Sequence, residues 1–168
     1  MQHPLSCIVR TICNAFAWFV VVFGVYIIVH GHLTPGGGFQ GGAVVATFMA
    51  LLLVSHGATK CLGWVRTRFF YLMEHVGLLT FIAAGFLGIG VTFFYNVLAL
   101  RGGLFGSAVA LGPNSGALNT AGTIALMNCA VGIEVVGGLS MILLYMVQGV
   151  LHVDKPTLRG KEEAGHDR

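Results

Sequence analysis

The sequence predicts an all-α membrane protein with four transmembrane helices, both termini in the cytoplasm and a glycine-rich turn between the first two helices. Three observations predict this fold. The 168 residues are 56% hydrophobic and only 9% charged, whereas soluble proteins are about a quarter charged. Four long apolar stretches follow one another along the chain. The basic residues fall almost entirely on one side of a four-span topology.

The four predicted spans differ in length. Thr11–Val29 carries no charge and is about as long as the hydrocarbon core of a bilayer requires. Phe39–Ser55 is shorter, so the turn before it is expected to complete the crossing. Val76–Leu98 is long and again uncharged. The fourth span lies within Asn119–Leu151, which is long enough to cross with tilt and holds one formal charge, Glu134.

The distribution of lysine and arginine sets the predicted orientation. Of the nine basic residues, only Arg101 falls on the outer side of a four-span chain. Cytoplasmic loops carry the excess of basic residues in membrane proteins, so both termini are predicted to be cytoplasmic. This topology also explains the net charge of +3 without a nucleic-acid partner. The predicted cytoplasmic residues are Arg10, Lys60, Arg66, Arg68, Lys155, Arg159, Lys161 and Arg168.

The connections complete the predicted organisation. Cys61–His75 combines basic and aromatic residues, as expected of a cytoplasmic loop at the membrane interface. Ala99–Leu118 is a glycine-rich outer loop. Residues 1–151 therefore form one transmembrane domain, and residues 152–168 form a charged cytoplasmic tail.

The glycine-rich turn is the least ordinary local feature. Gly36–Gly41 fits the dinucleotide-binding pattern G-x-G-x-x-G, but no strand precedes it and the topology places it outside the cytoplasm. Gly42 and Ala43 stand where a phosphate-binding loop needs Lys and Ser or Thr. Irregular backbone at membrane depth survives only when protein encloses it or water reaches it, so neighbouring subunits are expected. The predicted turn residues are Pro35, Gly36, Gly37, Gly38, Phe39, Gly41 and Gly42.

Small residues indicate where helices approach one another closely. Gly38, Gly42, Ala46 and Ala50 recur every four residues, which gives one face of the second span no bulky side chain. Gly137 and Gly138 do the same near the middle of the fourth span. We expect both faces to be helix-packing surfaces.

Glu134 is the residue predicted to carry chemistry. An acidic side chain at the centre of a span costs roughly 2.5–3.5 kcal/mol on insertion scales, and such residues usually mark ion or proton paths. The carboxyl group therefore suits the handling of H⁺ or Na⁺. The alternative, a structural anchor hydrogen-bonded to a neighbouring subunit, stays open. Helical spacing places Val136 and Leu139 on the opposite side of the span, which is predicted to face lipid. The residues on the same side as Glu134 are Thr123, Ala130, Gly137, Gly138 and Met141.

Other polar residues rank below Glu134. Glu74 and His75 begin the third predicted span and could form a proton access path, although a salt bridge from Glu74 to Arg66 or Arg68 is the alternative. His30 and His32 are expected to cap a helix end or to meet water.

Three asparagines and four cysteines complete the inventory. Asn14, Asn96 and Asn128 are expected to form hydrogen bonds between helices. The four cysteines form no Cys-x-x-Cys pair, so no metal site or cofactor is predicted in this chain.

Two segments resemble a known family. Gly31–Gly42 is similar to the G-H-x-x-P-G-G-G-F-x-G-G pattern of the MnhB (MrpB) type of subunit in the multi-subunit Mrp (Mnh) Na⁺/H⁺ antiporters. Gly122 followed by Val131–Val135 resembles the glycine and the V-x-x-E-V pattern of that family's last helix. The same subunit type occurs in membrane-bound hydrogenases and in related respiratory complexes. The resemblance covers the first, second and fourth spans.

The resemblance implies an accessory subunit of a monovalent-cation/proton antiporter in a prokaryotic cell membrane. Such a subunit contacts other membrane subunits, is not an enzyme by itself, and either lines part of the Na⁺ and H⁺ path or only scaffolds its neighbours. The alternative is the same subunit type in an energy-converting [NiFe] hydrogenase or related complex. The residues of this chain leave both choices open.

Overall fold

The computed structural model describes residues 5–109 and 117–166, with side chains as far as His152. Within those residues the chain is all-helical. Its helices are α1 (Cys7–Val29), α2 (Gly38–His56), α3 (Ala58–Trp64), α4 (Thr67–Phe86) and α5 (Thr123–His166). Four of them are long and apolar enough to cross a membrane: α1, α2, α4 and the part of α5 up to His152. The predicted class and the four spans are therefore confirmed.

The long helices pack in an order different from that in the sequence. α1 packs against α2, α2 against α5, and α5 against α4. α5 thus lies between α2 and α4, and it brings the glycine-rich start of α2 close to the middle of α4. This arrangement positions every residue of the candidate site.

Glycines set how closely these helices approach. A Cβ atom added at Gly24 of α1 would lie 2.9 Å from the carbonyl oxygen of Gly41 on α2, and one added at Gly41 would lie 2.8 Å from that of Gly24. Between α2 and α5, a Cβ added at Gly42 would lie 2.8 Å from the carbonyl oxygen of Gly132. Backbones at such distances leave no room for a larger residue, as is typical of helix pairs in membranes.

The predicted bounds of the second span agree with α2 to within one residue, the fourth span extends one residue beyond its predicted range, and α1 begins at Cys7, four residues before the predicted start of the first span. The bounds of the third span were wrong at both ends. Val76–Leu98 was predicted, but α4 runs from Thr67 to Phe86. The prediction excluded the residues before Val76 because they include charges, yet the helix accommodates them. After Phe86 the chain turns back on itself, and the N–H of Phe94 donates a hydrogen bond to the carbonyl oxygen of Gly85.

The segment predicted as a cytoplasmic loop, Cys61–His75, is largely helical. It contains most of α3 and the first turns of α4. Only Gly57, whose positive φ of 84° suits glycine, separates α2 from α3. Cys61 is 1% exposed and packs in a small core with Met49, Leu53 and Leu144. The prediction missed α3 because seven residues are too few to show a period.

The two remaining segments are only partly described. In the outer loop predicted at Ala99–Leu118, residues 110–116 lie outside the described part. The helix that forms the fourth span continues without a break to His166, through most of the segment predicted as a charged tail. The division at residues 151 and 152 and the cytoplasmic position of the tail stay predictions.

Candidate functional site

Glu134 lies near the middle of the membrane-spanning part of α5 and is partly buried. It lines a shallow cavity of about 170 Å³ at the junction of α2, α4 and α5. The carboxyl-bearing residues of this cavity are Glu134 and Glu74, and the rest of the lining is apolar or glycine. We refer to it as the acidic cavity. It is lined by Phe39, Glu74, Glu134, Val135, Gly138, Leu139 and Ile142.

A reciprocal contact between α4 and α5 brings the two acids together. A Cβ atom added at Gly77 would lie 2.6 Å from the backbone nitrogen of Glu134. A Cβ atom added at Gly137 would lie 2.6 Å from the backbone nitrogen of Glu74. Each helix therefore carries a glutamate followed three residues later by a glycine. Each glycine packs directly against the backbone of the glutamate on the other helix.

The Glu74 carboxyl group lies next to Gly138, which has no side chain. A Cβ atom added there would lie 3.6 Å from Oε1 of Glu74, which is ordinary contact distance. The Glu74 side chain thus reaches across α5 at Gly138, one helical turn from Glu134. Both carboxyl groups consequently lie on the same side of the α4–α5 pair.

Glu74 lies inside a helix that is long and apolar enough to cross a membrane, which corrects its predicted position. It was predicted to begin a span, but α4 starts seven residues earlier, at Thr67. At 1.5 Å per residue this places Glu74 about 10 Å inside the helix. The predicted start at Val76 was wrong because charged residues were taken to mark the end of a span.

His75 does not join the acids. It is exposed, its Nδ1 lies 2.8 Å from the carbonyl oxygen of Tyr71, and its ring lies 4.0 Å from the Tyr71 ring. It is absent from the lining of the acidic cavity. His75 therefore lies on the exposed side of α4, while Glu74 lies on the side facing α5.

The predicted lipid-facing side of α5 needs correction. Val136 is only 9% exposed, and Leu139 lines the acidic cavity together with Glu134. The prediction assumed that α5 packs on one side only, whereas it contacts both α2 and α4. Thr123, Ala130 and Met141, which were placed beside Glu134, are buried.

Asn128 holds the glycine-rich turn in place. Its side-chain oxygen accepts a hydrogen bond from the N–H of Gly38, at the start of α2, and its side-chain nitrogen donates one to the carbonyl oxygen of Ile28, near the end of α1. A Cβ atom at Gly31 would collide with this amide. One α5 side chain thus bonds to backbone groups at two helix ends, where such groups have no partner within their own helix.

The predicted hydrogen bonds between helices are confirmed for Asn128, whereas Asn96 lies in the turns after α4 and bonds to the start of α5. Asn96 caps the start of α5, because its Oδ1 lies 2.8 Å from both the backbone nitrogen and the Oγ1 of Thr123, which donate to it. Asn14 is exposed on α1. His30, as predicted, lies at a helix end, where it is the C-cap residue of α1.

A second shallow cavity lies on the same side, between the start of α2 and the start of α5. Its volume is about 400 Å³, and we refer to it as the outer cavity because the predicted topology places the glycine-rich turn outside. The side chains of Gln40 and Asn128 give it polar groups. It is lined by Gly37, Gly38, Phe39, Gln40, Phe81, Ile124, Met127, Asn128 and Val131.

Histidine, cysteine and acidic side chains do not cluster as ligands would. Within residues 5–109 and 117–152, no three of them come close enough to hold a metal ion. The chemistry of the site therefore consists of two carboxyl groups in a half-open, otherwise apolar cavity.

Comparison with known proteins identifies relatives among membrane transport proteins. The family model described as a domain related to the MnhB subunit of Na⁺/H⁺ antiporters matches residues 8–141. An uncharacterized protein of Methanocaldococcus jannaschii is 32% identical over 135 residues, which is 79% of this chain and 49% of the relative. A Na⁺/H⁺ antiporter subunit of Bacillus subtilis is 28% identical over 84 residues, which is 50% of this chain and 58% of the relative. The chain thus spans about half the length of these relatives.

A solved structure has the same fold. A chain of the membrane-bound sulfane sulfur reductase, an archaeal respiratory membrane complex, superimposes with a TM-score of 0.66 at 27% identity, covering 87% of this chain and 62% of that one. The family match includes α1 to α4 and the part of α5 that carries Asn128 and Glu134. This multi-pass membrane protein belongs to the family of domains related to the MnhB subunit of Na⁺/H⁺ antiporters.

Proposed function

We propose that this chain is an accessory subunit of a multi-subunit monovalent-cation/proton antiporter, and that Glu74 and Glu134 line part of its ion path. The observation that carries the proposal is the acidic cavity, in which two carboxyl groups from neighbouring spans share one open space. The subunit catalyses no reaction by itself. It acts within an assembly of several membrane chains in a prokaryotic cell membrane.

The position of the two acids explains why partners are required. The acidic cavity is open on one side, and both glutamates are only partly buried by this chain. A carboxyl group facing hydrocarbon is costly, and intramembrane acids therefore face protein interiors or water-filled spaces. A neighbouring subunit that covers this side would complete the walls of a hydrated path. The family relationship to an antiporter subunit supports this assignment.

A substitution of the central acid tests the proposal in the intact complex. We expect Glu134→Gln to leave assembly unchanged, because the two side chains are nearly the same size, and to reduce Na⁺-dependent proton exchange at least tenfold. Exchange is measured in everted membrane vesicles with a pH-sensitive dye, and assembly by native electrophoresis. Glu162→Gln, which removes one negative charge from the charged tail, is the control and should leave exchange unchanged. Full exchange by Glu134→Gln would show that the acid only anchors the subunit.

The structural comparison supports a second candidate for the parent complex. The chain that superimposes on this one belongs to a respiratory complex, so the same subunit could serve a redox-driven ion pump such as a membrane-bound [NiFe] hydrogenase. The role of the acidic cavity would be unchanged. Mass spectrometry of the intact detergent-extracted complex separates the two assignments, since iron–sulfur or nickel–iron subunits would co-purify only with a redox-driven pump.

A further inference from the structure

Phe39 lines both cavities on the open side of the chain. The outer cavity and the acidic cavity both include it, and it is the one residue that their described linings share. It is the second residue of α2 and is 60% exposed. The neighbouring positions on α5 follow the same order, because Val131 lines the outer cavity and Val135, one turn further on, lines the acidic cavity.

We propose that Phe39 is an apolar gate between the outer cavity and the acidic cavity, and that it limits how fast water and cations reach Glu134 from the outside. This inference rests on the proposed function, since it assigns a direction of access to the same site. Polar groups lie on both sides of the ring: Gln40 and Asn128 on one side, and Glu74 and Glu134 on the other. An apolar side chain placed between these polar groups opposes the passage of hydrated ions, because water does not wet it.

The start of α2 is built to hold the ring at this place. Gly38, immediately before Phe39, approaches the backbone of Asn128 and Gly132 so closely that a Cβ atom would lie 2.9 Å from the nitrogen of Gly132. The N–H of Gly38 is also bonded to the side chain of Asn128. The backbone next to Phe39 is therefore fixed against α5, and the ring can change only its own side-chain torsions.

Accessibility to a water-soluble reagent tests the gate without relying on transport. In the complete complex, with the four native cysteines replaced by alanine, Glu134→Cys serves as the reporter. A membrane-impermeant trimethylammonium methanethiosulfonate is applied from the outside, and the rate of modification is measured by mass spectrometry. We expect slow modification with Phe39 present and at least tenfold faster modification after Phe39→Ala. Phe39→Leu, which keeps the site apolar, should give a rate close to that with phenylalanine.

A matched control removes a similar ring elsewhere. Phe23→Ala, on the exposed side of α1 and in neither cavity, should not change the rate. Equal rates with Phe39 and with Phe39→Ala would overturn the gate, and so would the absence of any modification from the outside in both variants. Native electrophoresis confirms that each variant assembles.

The labelling result and the transport result can fail separately. If Glu134→Gln exchanges normally while Phe39→Ala speeds labelling, Phe39 controls water access to a site that carries no ions, and the proposed function is wrong. If Glu134→Gln stops exchange while Phe39→Ala leaves labelling unchanged, the ion path stands and the gate is wrong.

Discussion

Glu74 and Glu134 line one cavity although they belong to different helices and lie far apart in the sequence. Their backbones are held by the opposing glycines, Gly137 and Gly77. The pairing gives the cavity two groups that can exchange protons or bind a cation.

The first prediction concerns this pair. Because the two carboxyl groups share one cavity, we expect Glu74→Gln to reduce exchange in the complete complex, as Glu134→Gln does. The double variant should lose little more than the more damaged single variant, since removing either group breaks the same unit. Dye-based exchange in vesicles, measured for the two single variants and the double variant, checks this. Losses that multiply would indicate that the two acids act independently.

The second prediction concerns the contact that positions the pair. Gly77→Ala puts a methyl group 2.6 Å from the backbone nitrogen of Glu134, so α4 has to move away from α5. Overpacking of this kind typically costs about 1–3 kcal/mol. We expect a lower thermal transition of the purified complex or loss of the subunit from it. Gly149→Ala on α5, where a Cβ atom would have nothing within 4 Å, is the control and should be neutral.

The third prediction concerns the anchor of the glycine-rich turn. Asn128→Ala removes the hydrogen bonds to Gly38 and Ile28. The N–H of Gly38 loses its side-chain acceptor, whereas the carbonyl oxygen of Ile28 keeps the hydrogen bond from the N–H of Gly31. Hydrogen bonds between membrane helices contribute about 0.6 kcal/mol on average and up to ~1.7 kcal/mol, so we expect a loss of about 1–3 kcal/mol in the free energy of unfolding. Unfolding in mixed micelles measures it. Asn14→Ala, which changes an exposed side chain, should cost far less; an equal loss would mean that Asn128 is no anchor.

The sequence contained enough to predict four spans but not the true start of the third. Length and lack of charge place the end of a span correctly only when the helix carries no charged residue near that end. α4 includes Arg68, Glu74 and His75, and the rule therefore shifted its start to Val76. Its predicted end failed for another reason. The apolar residues after Phe86 turn back instead of continuing the helix, and Tyr95 packs where a side chain at Gly88 would lie.

Only one of the two acids of the candidate site could be predicted, because charged residues were taken to mark the end of a span. Glu134 is conspicuous because its span carries no other charge, whereas Glu74 was assigned to a loop. A signal was present: Glu74 and Gly77 have the same spacing as Glu134 and Gly137. A repeated Glu-x-x-Gly spacing indicates that each glycine packs closely against the backbone of another helix. Only the observed α4–α5 contact shows that the two repeats face each other. The double role of Asn128 likewise depends on where three helices meet.

The last prediction concerns pH and Cys61, which lies on α3 outside the spans. Burial raises the pKa of the Cys61 thiol, because the thiolate is poorly solvated in its apolar core. The folded state therefore favours the protonated thiol. This contribution to stability is fully present below the ordinary thiol pKa and is lost as the pH rises through the raised value. Since the thiolate is the reactive form, N-ethylmaleimide should modify Cys61 more slowly than the exposed Cys7 and with an onset at higher pH.

Mass spectrometry of the labelled complex between pH 6 and 10 measures both rates in one sample, and detergent-denatured protein supplies the control in which the two cysteines should react alike. Cys61→Ala should also remove part of the decline in thermal stability at alkaline pH. Equal rates for Cys61 and Cys7 in the folded complex would mean that α3 opens readily. In that case the core formed with Met49, Leu53 and Leu144 would not hold α3 against the spans.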